Sequence, residues 1–283
     1  MNLSDWTFFM DGFEPLPCRA PCTMYSVLLE NGKIPDPFYG VNEQTLRHLG
    51  ERDCAFETEF TVDARDLEKE YQELEFSGLD TVCRILLNGS PLGRTKNMHR
   101  TYVFPVKDRL VPGKNTLRLE FSSPMAYFRE AQRRHYLYMN DGDTVPGTAH
   151  LRKAMFESGW DWAPTLPDMG ITRPVELRSF DGGRLERVLV SQKHRGGEMD
   201  VSVRADVLCG PEYEVYVNLD GQRVRATAGE AVVHIEHPRL WWVRGYGEQP
   251  LYPLETELWV GGTCVDRKTM RIGLRTLTVS TEK

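Results

Sequence analysis

Three consecutive residues in the middle of the chain have side chains that can act together on one ligand: Trp160, Asp161 and Trp162. An indole offers a flat apolar face, and a carboxylate accepts hydrogen bonds from two neighbouring hydroxyl groups. An indole and a carboxylate together suit the binding of a sugar ring. Pro164 and Pro167 follow closely. They favour a loop that can aim all three side chains at one pocket, and they lower the entropy lost when the loop orders.

The same residues also have a purely structural interpretation. Both indoles can pack in a β-sheet core while Asp161 caps a turn or pairs with Arg152 or Arg173. Judged by residue types alone, this packed turn is the more frequent arrangement, and the sugar site stands beside it as the alternative.

Hydrolysis of a glycoside needs two carboxyl groups across one bond, about 5 Å apart for retention and wider for inversion. Glu157 lies close to Asp161 in sequence, and Asn42-Glu43 is a second candidate. Neither forms a convincing pair, because nothing places an acid opposite Asp161 and Glu43 lies in a polar segment that we expect to be exposed. The chain also lacks a nucleophile elbow, a phosphate loop and a dinucleotide glycine motif. We therefore assign no catalytic residue and predict no cofactor.

Metal binding is not indicated by the histidines or the cysteines. The histidines are scattered, although His99 and His150 lie in loops that can approach Trp160. Cys18 and Cys22 are four residues apart with no histidine nearby, which is a poor zinc pattern. A chain of this length does not need disulfides, so we expect all six cysteines to be reduced.

A second aromatic segment, residues 238–255, contains Trp241, Trp242, Tyr246 and Tyr252 among glycines and prolines. We predict an irregular crossing between strands, in which the large side chains cover a domain boundary and the glycines allow tight bends. This segment is therefore interpreted as structural.

Charge and hydropathy limit the partners. The 283 residues carry a formal net charge of -6, with acids and bases interspersed. This argues against nucleic acid or an anionic membrane as a partner, and it favours a small neutral or cationic ligand. No apolar run approaches the roughly 20 residues of a membrane span, and the first residues lack the pattern of a signal peptide. The expected location is cytoplasmic.

Alternation of apolar and polar residues with a period of two dominates the chain, and it predicts half-buried antiparallel strands. Asn88-Gly89 and Asp220-Gly221 are typical of tight hairpin turns. One helix is predicted after Ser123, which can act as its N-cap with Pro124 at the first position. A polar break at residues 180–183 separates two families of strands, so we expect domains at 1–181 and 182–283, the second with about seven strands.

Four stretches of the sequence resemble glycoside hydrolase family 2, and within it the β-mannosidases most closely. They occur in family order at residues 28–43, 76–106, 151–177 and 240–255, and residues 272–276, Ile-Gly-Leu-Arg-Thr, close the likeness. The third is the most specific, because its Gly-Trp-Asp-Trp element resembles that of β-mannosidases rather than of the whole family.

The resemblance implies a mainly β fold, a galactose-binding-like jelly-roll β-sandwich followed by an immunoglobulin-like β-sandwich. It also implies a TIM barrel that carries the acid/base and nucleophile glutamates. These glutamates would lie beyond Lys283, so this chain alone is expected to be inactive. By the same match Asp161 would accept hydrogen bonds from hydroxyls of a terminal β-linked sugar, Trp160 would line the pocket, and Trp162 would lie beside them. No cofactor or metal is implied.

Three residues depart from the family pattern. Ala163 stands where these enzymes usually have glycine, Ser158 replaces an aromatic residue, and Val243 replaces a proline. The first two flank the sugar contacts and leave the preferred sugar open. A free-standing carbohydrate-binding or interaction module is the alternative to the N-terminal half of a retaining exo-β-mannosidase.

Overall fold

The computed structural model of the protein describes residues 1–138, 145–160 and 163–281. The chain divides into two compact units, Met1–Ser179 and Phe180–Lys283. Both are built mainly from antiparallel strands, as the jelly-roll and immunoglobulin-like prediction required. No helix in the described part of the chain is long and apolar enough to cross a membrane.

The described residues of the first unit form fourteen strands and four α-helices. The strands are β1 (Asp5–Met10), β2 (Leu16–Arg19), β3 (Cys22–Thr23), β4 (Cys54–Val62), β5 (Tyr71–Phe76), β6 (Leu79–Asp80), β7 (Val82–Leu87), β8 (Ser90–Lys96), β9 (Tyr102–Pro105), β10 (Gly113–Phe121), β11 (Ser158–Trp160), β12 (Ala163–Thr165), β13 (Gly170–Ile171) and β14 (Val175–Phe180). The helices are α1 (Met24–Glu30), α2 (Asn42–Leu46), α3 (Ala64–Glu68) and α4 (Pro124–Arg134), with 3-10 turns at Arg47–Glu51, Lys107–Arg109, Thr148–His150 and Met155–Glu157.

A six-stranded sheet in the order β2-β1-β4-β10-β7-β8 forms one layer of this unit. Two three-stranded sheets, β3-β13-β6 and β14-β5-β9, are also present, together with the separate hairpin β11-β12. Alternate residues of the large sheet are buried, and the ring centroids of Phe8 and Phe56 lie 5.1 Å apart and those of Phe56 and Phe121 5.7 Å apart. The period-two pattern therefore has its expected cause, because one face of each strand is covered by the core.

Helix α4 forms where the sequence predicted a helix. The Ser123 hydroxyl accepts a hydrogen bond from the Ala126 backbone N–H at 3.1 Å, and Pro124 is the first helical residue. The expectation of a single helix was wrong, because three shorter helices also form. Of these, α1 follows a capping box in which Thr23 and Ser26 exchange hydrogen bonds, and it buries Val27 and Leu28 on one face.

The second unit contains seven strands, in agreement with the predicted number of about seven. They are β15 (Gly183–Arg195), β16 (Glu198–Cys209), β17 (Glu214–Leu219), β18 (Gln222–Arg225), β19 (Glu230–Ile235), β20 (Tyr252–Val260) and β21 (Thr263–Ile272). They form two sheets, β15-β16-β19 and β18-β17-β20-β21. The apolar residues of each strand meet in a core of Met199, Val201, Val217, Val233 and Leu254.

Candidate functional site

The predicted sugar-binding residues belong to the β11-β12 hairpin. Its strands pair Ser158 with Thr165 and Trp160 with Ala163. Gly159 has a φ of 85°, a backbone conformation that glycine adopts without steric cost. Asp161, Trp162 and the Trp160 side chain lie outside the described residues, so their roles stay predictions.

The base of the hairpin is held by hydrogen bonds on both sides. A carboxylate oxygen of Glu43 accepts from the Thr165 backbone N–H at 3.0 Å, and the Glu157 carbonyl accepts from Leu166 N–H at 2.9 Å. Glu43 is half-buried and also lies 3.5 Å from the Arg47 guanidinium. The expectation that Glu43 would be exposed was wrong, because α2 directs this side chain against β12. Its role is to anchor the hairpin.

A buried lysine ties the hairpin to the rest of the first unit. The Lys153 ammonium donates to Asp80 Oδ2 at 2.5 Å, to Glu157 Oε2 at 2.5 Å and to the Asp168 carbonyl at 2.7 Å. The side chains of Lys153 and Asp80 are 2% and 1% exposed and that of Glu157 is 14% exposed. We call Lys153, Asp80, Glu157 and Asp168 the lysine cluster. It joins the end of β6, the approach to β11 and the segment after β12.

The lysine cluster contains three acids and one cation, and burial together with this excess of acids raises the pKa of Glu157. Burial raises the pKa of Glu157 to about 8, and the neighbouring Asp80 and Asp168 charges act in the same direction, although Lys153 opposes them. Burial would lower the pKa of Lys153, but the two carboxylates outweigh it and the pKa is raised. With a pKa of about 8, the Glu157 carboxyl is therefore mostly protonated at neutral pH, beside the charged Lys153 ammonium.

Asp168 connects the lysine cluster to helix α1. Its carboxylate accepts from the Met169 N–H at 2.8 Å and from the Tyr25 N–H at 3.3 Å. Burial raises the pKa of Asp168 to about 6, against the lowering effect of these hydrogen bonds and of Thr23. Beside it lies an apolar cavity of about 380 Å³, whose rim carries the exposed rings of Phe38 and Phe156.

Sequence reasoning missed the lysine cluster because its members are far apart in the chain. Asp80 and Lys153 are separated by 73 positions. The only local signal was the four-residue spacing of Lys153 and Glu157, which places a cation and an acid within reach on a helical turn. Glu157, which the sequence analysis considered as one half of a catalytic pair, is thus a partner of Lys153. No second acid is assigned to it as a catalytic partner.

The other candidates have structural partners. A ring nitrogen of His150 lies 2.9 Å from Gln132 Oε1, and His99 is exposed. The His99 loop does approach the hairpin, since Met98 N–H donates to the Arg152 carbonyl at 3.0 Å. The cysteines are free, and the Cys18 thiol donates to the Trp6 carbonyl at 3.5 Å. Among residues 1–138, 145–160 and 163–281, no group of three metal-ligating side chains comes together.

The second aromatic segment packs within its own unit. Trp241 N–H donates to the Leu274 carbonyl at 2.9 Å, and the Tyr252 hydroxyl accepts from Arg239 N–H at 2.8 Å. Trp242 and Tyr246 are exposed. The hydrogen bonds fit an irregular crossing between strands, whereas the covering of a domain boundary by these side chains stays a prediction.

Comparison with known proteins identifies both units. Residues 6–173 match the glycosyl hydrolase 2 galactose-binding-like domain, and residues 184–275 match the glycosyl hydrolases family 2 domain. β-Mannosidase B of Thermothelomyces thermophilus is 32% identical over 91% of this chain, which corresponds to 31% of that protein. The mouse β-mannosidase is 24% identical over 94% of the chain and 33% of its own length.

Solved structures agree with this assignment. The crystal structure of β-D-mannosidase from Dictyoglomus thermophilum superposes with a TM-score of 0.88 and 32% identity, covering 97% of this chain and 36% of that one. The exo-chitosanase of Amycolatopsis orientalis shares the fold, with a TM-score of 0.67 and 22% identity over 96% of this chain and 33% of that one. The chain thus spans about a third of the length of these relatives.

Proposed function

The chain belongs to glycosyl hydrolase family 2, and on that premise we propose that it is the non-catalytic N-terminal region of a retaining exo-β-mannosidase that removes terminal β-linked mannose. The observation that carries the proposal is the 32% identity, over nearly the whole chain, to two proteins named β-mannosidase. The catalytic TIM barrel would follow in the same polypeptide.

In this proposal the β11-β12 hairpin reaches into a pocket that the barrel completes. Asp161 accepts hydrogen bonds from hydroxyls of the terminal sugar, Trp160 stacks on or lines one side of it, and Trp162 lies next to them. The firm attachment of the hairpin base supports this role. Glu43 accepts a hydrogen bond from Thr165 on β12, and Lys153 donates one to Glu157 directly before β11, so both contacts restrict the motion of the hairpin. A binding residue gains affinity when its scaffold is ordered beforehand.

Activity measurements on two lengths of the protein test the division of roles. We expect a longer protein that includes the barrel to hydrolyse nitrophenyl β-mannoside, and the 283-residue chain to release no nitrophenol. Turnover by the pure 283-residue chain would overturn the assignment, because no catalytic residue is assigned within it.

Substitution of the central acid tests the sugar-binding role. In the longer protein, Asp161→Ala should lower kcat/KM by an amount equivalent to about 2 to 4 kcal/mol, the scale of charged hydrogen bonds that strengthen in a transition state. Kinetics with the same nitrophenyl β-mannoside measure the loss. If kcat/KM of the variant stayed within about threefold of wild type, a change well below this scale, Asp161 would be only a turn residue.

The alternative is a free-standing carbohydrate-binding module. It requires the 283-residue chain to bind mannose or mannobiose measurably by calorimetry, whereas the proposed hydrolase region should bind little because half of its pocket is absent. A cytoplasmic location belongs to the proposal and is supported by the six free cysteines, since disulfides are rare in reducing compartments. No cofactor, nucleic-acid or membrane partner forms part of it.

A further inference from the structure

The outer face of the six-stranded sheet in the first unit bears a groove of about 1300 Å³. Its floor is a row of directly paired residues on neighbouring strands. Phe9 pairs with Ala55, Ala55 with Glu120, Glu120 with Arg84, and Arg84 with Arg94. Strands lie about 4.8 Å apart, so this row is about 19 Å long. Ala55, the second residue of the row, has the smallest side chain among the five.

The groove is divided by charge along this row. Cations gather at the β7-β8 end, where Arg84 and Arg94 lie on the floor and Lys96 and Arg100 on the edge. The opposite end, beside β1 and the start of β4, carries three acids, Asp11, Glu51 and Asp53, together with Arg52 and Arg118.

Three of the acids that line the groove already have partners. Glu51 lies 2.6 Å from Arg129, Asp53 accepts from the Ser123 N–H at 2.7 Å, and Glu120 lies 3.6 Å from Arg84. By contrast, Arg94 and Lys96 have no carboxylate within ion-pair distance among the described residues. An excess of positive charge therefore remains at the β7-β8 end.

Arg84 and Arg94 are direct cross-strand partners, and like charges placed opposite each other destabilise a sheet. Glu120 compensates Arg84 in part, and an anion held by both guanidinium groups would reduce the remaining repulsion. Two planar guanidinium groups suit a carboxylate or sulfate, whose oxygens accept paired hydrogen bonds.

We propose that this groove is a second binding site, one that takes an acidic oligosaccharide with its carboxylate or sulfate on Arg84 and Arg94. The hydroxyl groups of the remaining sugar units would donate to the acids of the other end. Phe9 and Tyr102 supply apolar surface, and each has an arginine over its ring, at 5.0 Å for Arg118 and 5.6 Å for Arg100. A uniformly charged polyanion such as nucleic acid fits poorly, because the acidic end would repel it. This site goes beyond the proposed function, and none of its residues belongs to the hairpin.

Calorimetry with the 283-residue chain at low ionic strength tests the proposal. Trigalacturonate is the probe, and its methyl ester is the matched neutral ligand of the same shape. We expect trigalacturonate to bind at least about tenfold more tightly than the ester, the loss expected for one charge-assisted hydrogen bond. Equal binding of the two, no binding of either at millimolar concentration, or equally tight binding of sodium sulfate would overturn it.

A pair of variants separates binding from folding. Arg94→Gln should weaken trigalacturonate binding about tenfold and leave the melting temperature unchanged or raised, because it relieves repulsion. Arg65→Gln, an exposed position on α3 outside the groove, removes the same charge and should leave the affinity unchanged. A marked fall in the melting temperature of Arg94→Gln, or equal losses of affinity in both variants, would refute the site.

Discussion

Glu157 in the first unit and Glu257 in the second are both largely buried and ion-paired, yet their pKa values shift in opposite directions. Burial raises the pKa of Glu157. Burial acts in the same direction on Glu257, but hydrogen bonds from Arg223 and Trp259 and the positive charges of Arg223 and Arg267 outweigh it, and the pKa is lowered. The balance of neighbouring charges decides the direction: two further acids share the single cation near Glu157, whereas two guanidinium groups, at 2.9 Å each, reach Glu257.

The two clusters also differ in what they connect. Glu257 on β20 and its two arginines, Arg223 on β18 and Arg267 on β21, lie in one sheet with the order β18-β17-β20-β21. The arginine side chains are about half exposed. Lys153 is enclosed and joins three segments far apart in sequence. The first arrangement adds to a sheet that strand pairing already forms. The second holds Asp80, Glu157 and Asp168, which belong to different segments, together next to the hairpin.

The largest effect should come from removing the enclosed cation. Lys153→Met leaves the Asp80 carboxylate buried without its partner, so we expect the free energy of unfolding to fall by about 3 to 5 kcal/mol. Arg267→Met in the second unit is the matched control and should cost much less, since its side chain is 53% exposed and its ion pairs are screened by water. Urea titration followed by hydrogen exchange of peptides from β7 and β20 reports each unit separately.

A double variant sharpens this prediction. Asp80→Asn combined with Lys153→Met removes both charges and should recover part of the lost stability, because no ion remains uncompensated. If Lys153→Met cost no more than Arg267→Met, the distinction between an enclosed tertiary cluster and an exposed sheet cluster would fail.

The second prediction uses the raised pKa of Glu157. Its ordinary value is 4.5 and its value in the folded protein is about 8. Between these values the folded protein binds more protons than the unfolded chain, so the stability of the first unit falls as pH rises, by up to about 1.4 kcal/mol per pH unit. Glu157→Gln should flatten this slope.

The informative pH window is set by the neighbouring acid. Asp168, with a pKa raised to about 6, contributes a slope of the same sign below that value in both proteins. Urea unfolding from pH 6 to 8 therefore isolates Glu157. An unchanged slope in Glu157→Gln would show that Glu157 is ionised throughout, with Lys153 as its full counter-charge.

Features that depend on a few adjacent residues were predictable from the sequence. Asn88-Gly89 and Asp220-Gly221 have the positive φ values, 51° and 75°, and 51° and 74°, that their residue types favour. Helix α4 was predictable because Ser123 caps it within three residues. Strand alternation followed from burial on one face. In each case the signal and the structure lie in the same short segment.

The support of the candidate site could not be predicted in this way. Thr165 and Glu43 are 122 positions apart, and Lys153 and Asp80 are 73 apart. No periodic pattern links such residues, because their contact depends on how the sheets and loops pack. Helix α1 was missed for another reason, since its seven residues are too few to establish a period of 3.6.

The smallest effect should come from neutralising the acid of the second unit. Glu257→Gln removes a carboxylate that accepts from Arg223, Arg267 and the Trp259 indole N–H at 3.0 Å. Because both arginines stay partly in water, we expect the free energy of unfolding to fall by about 1 kcal/mol at pH 7.

The pH dependence of the stability that Glu257 contributes should have the opposite sign to that of Glu157. A lowered folded pKa stabilises the protein above the ordinary value of 4.5, and this stability is lost as pH falls through the folded pKa. Wild type and Glu257→Gln should therefore converge in urea unfolding as the solution is acidified, and a difference that grew on acidification would show that the charges around Glu257 do not control its protonation.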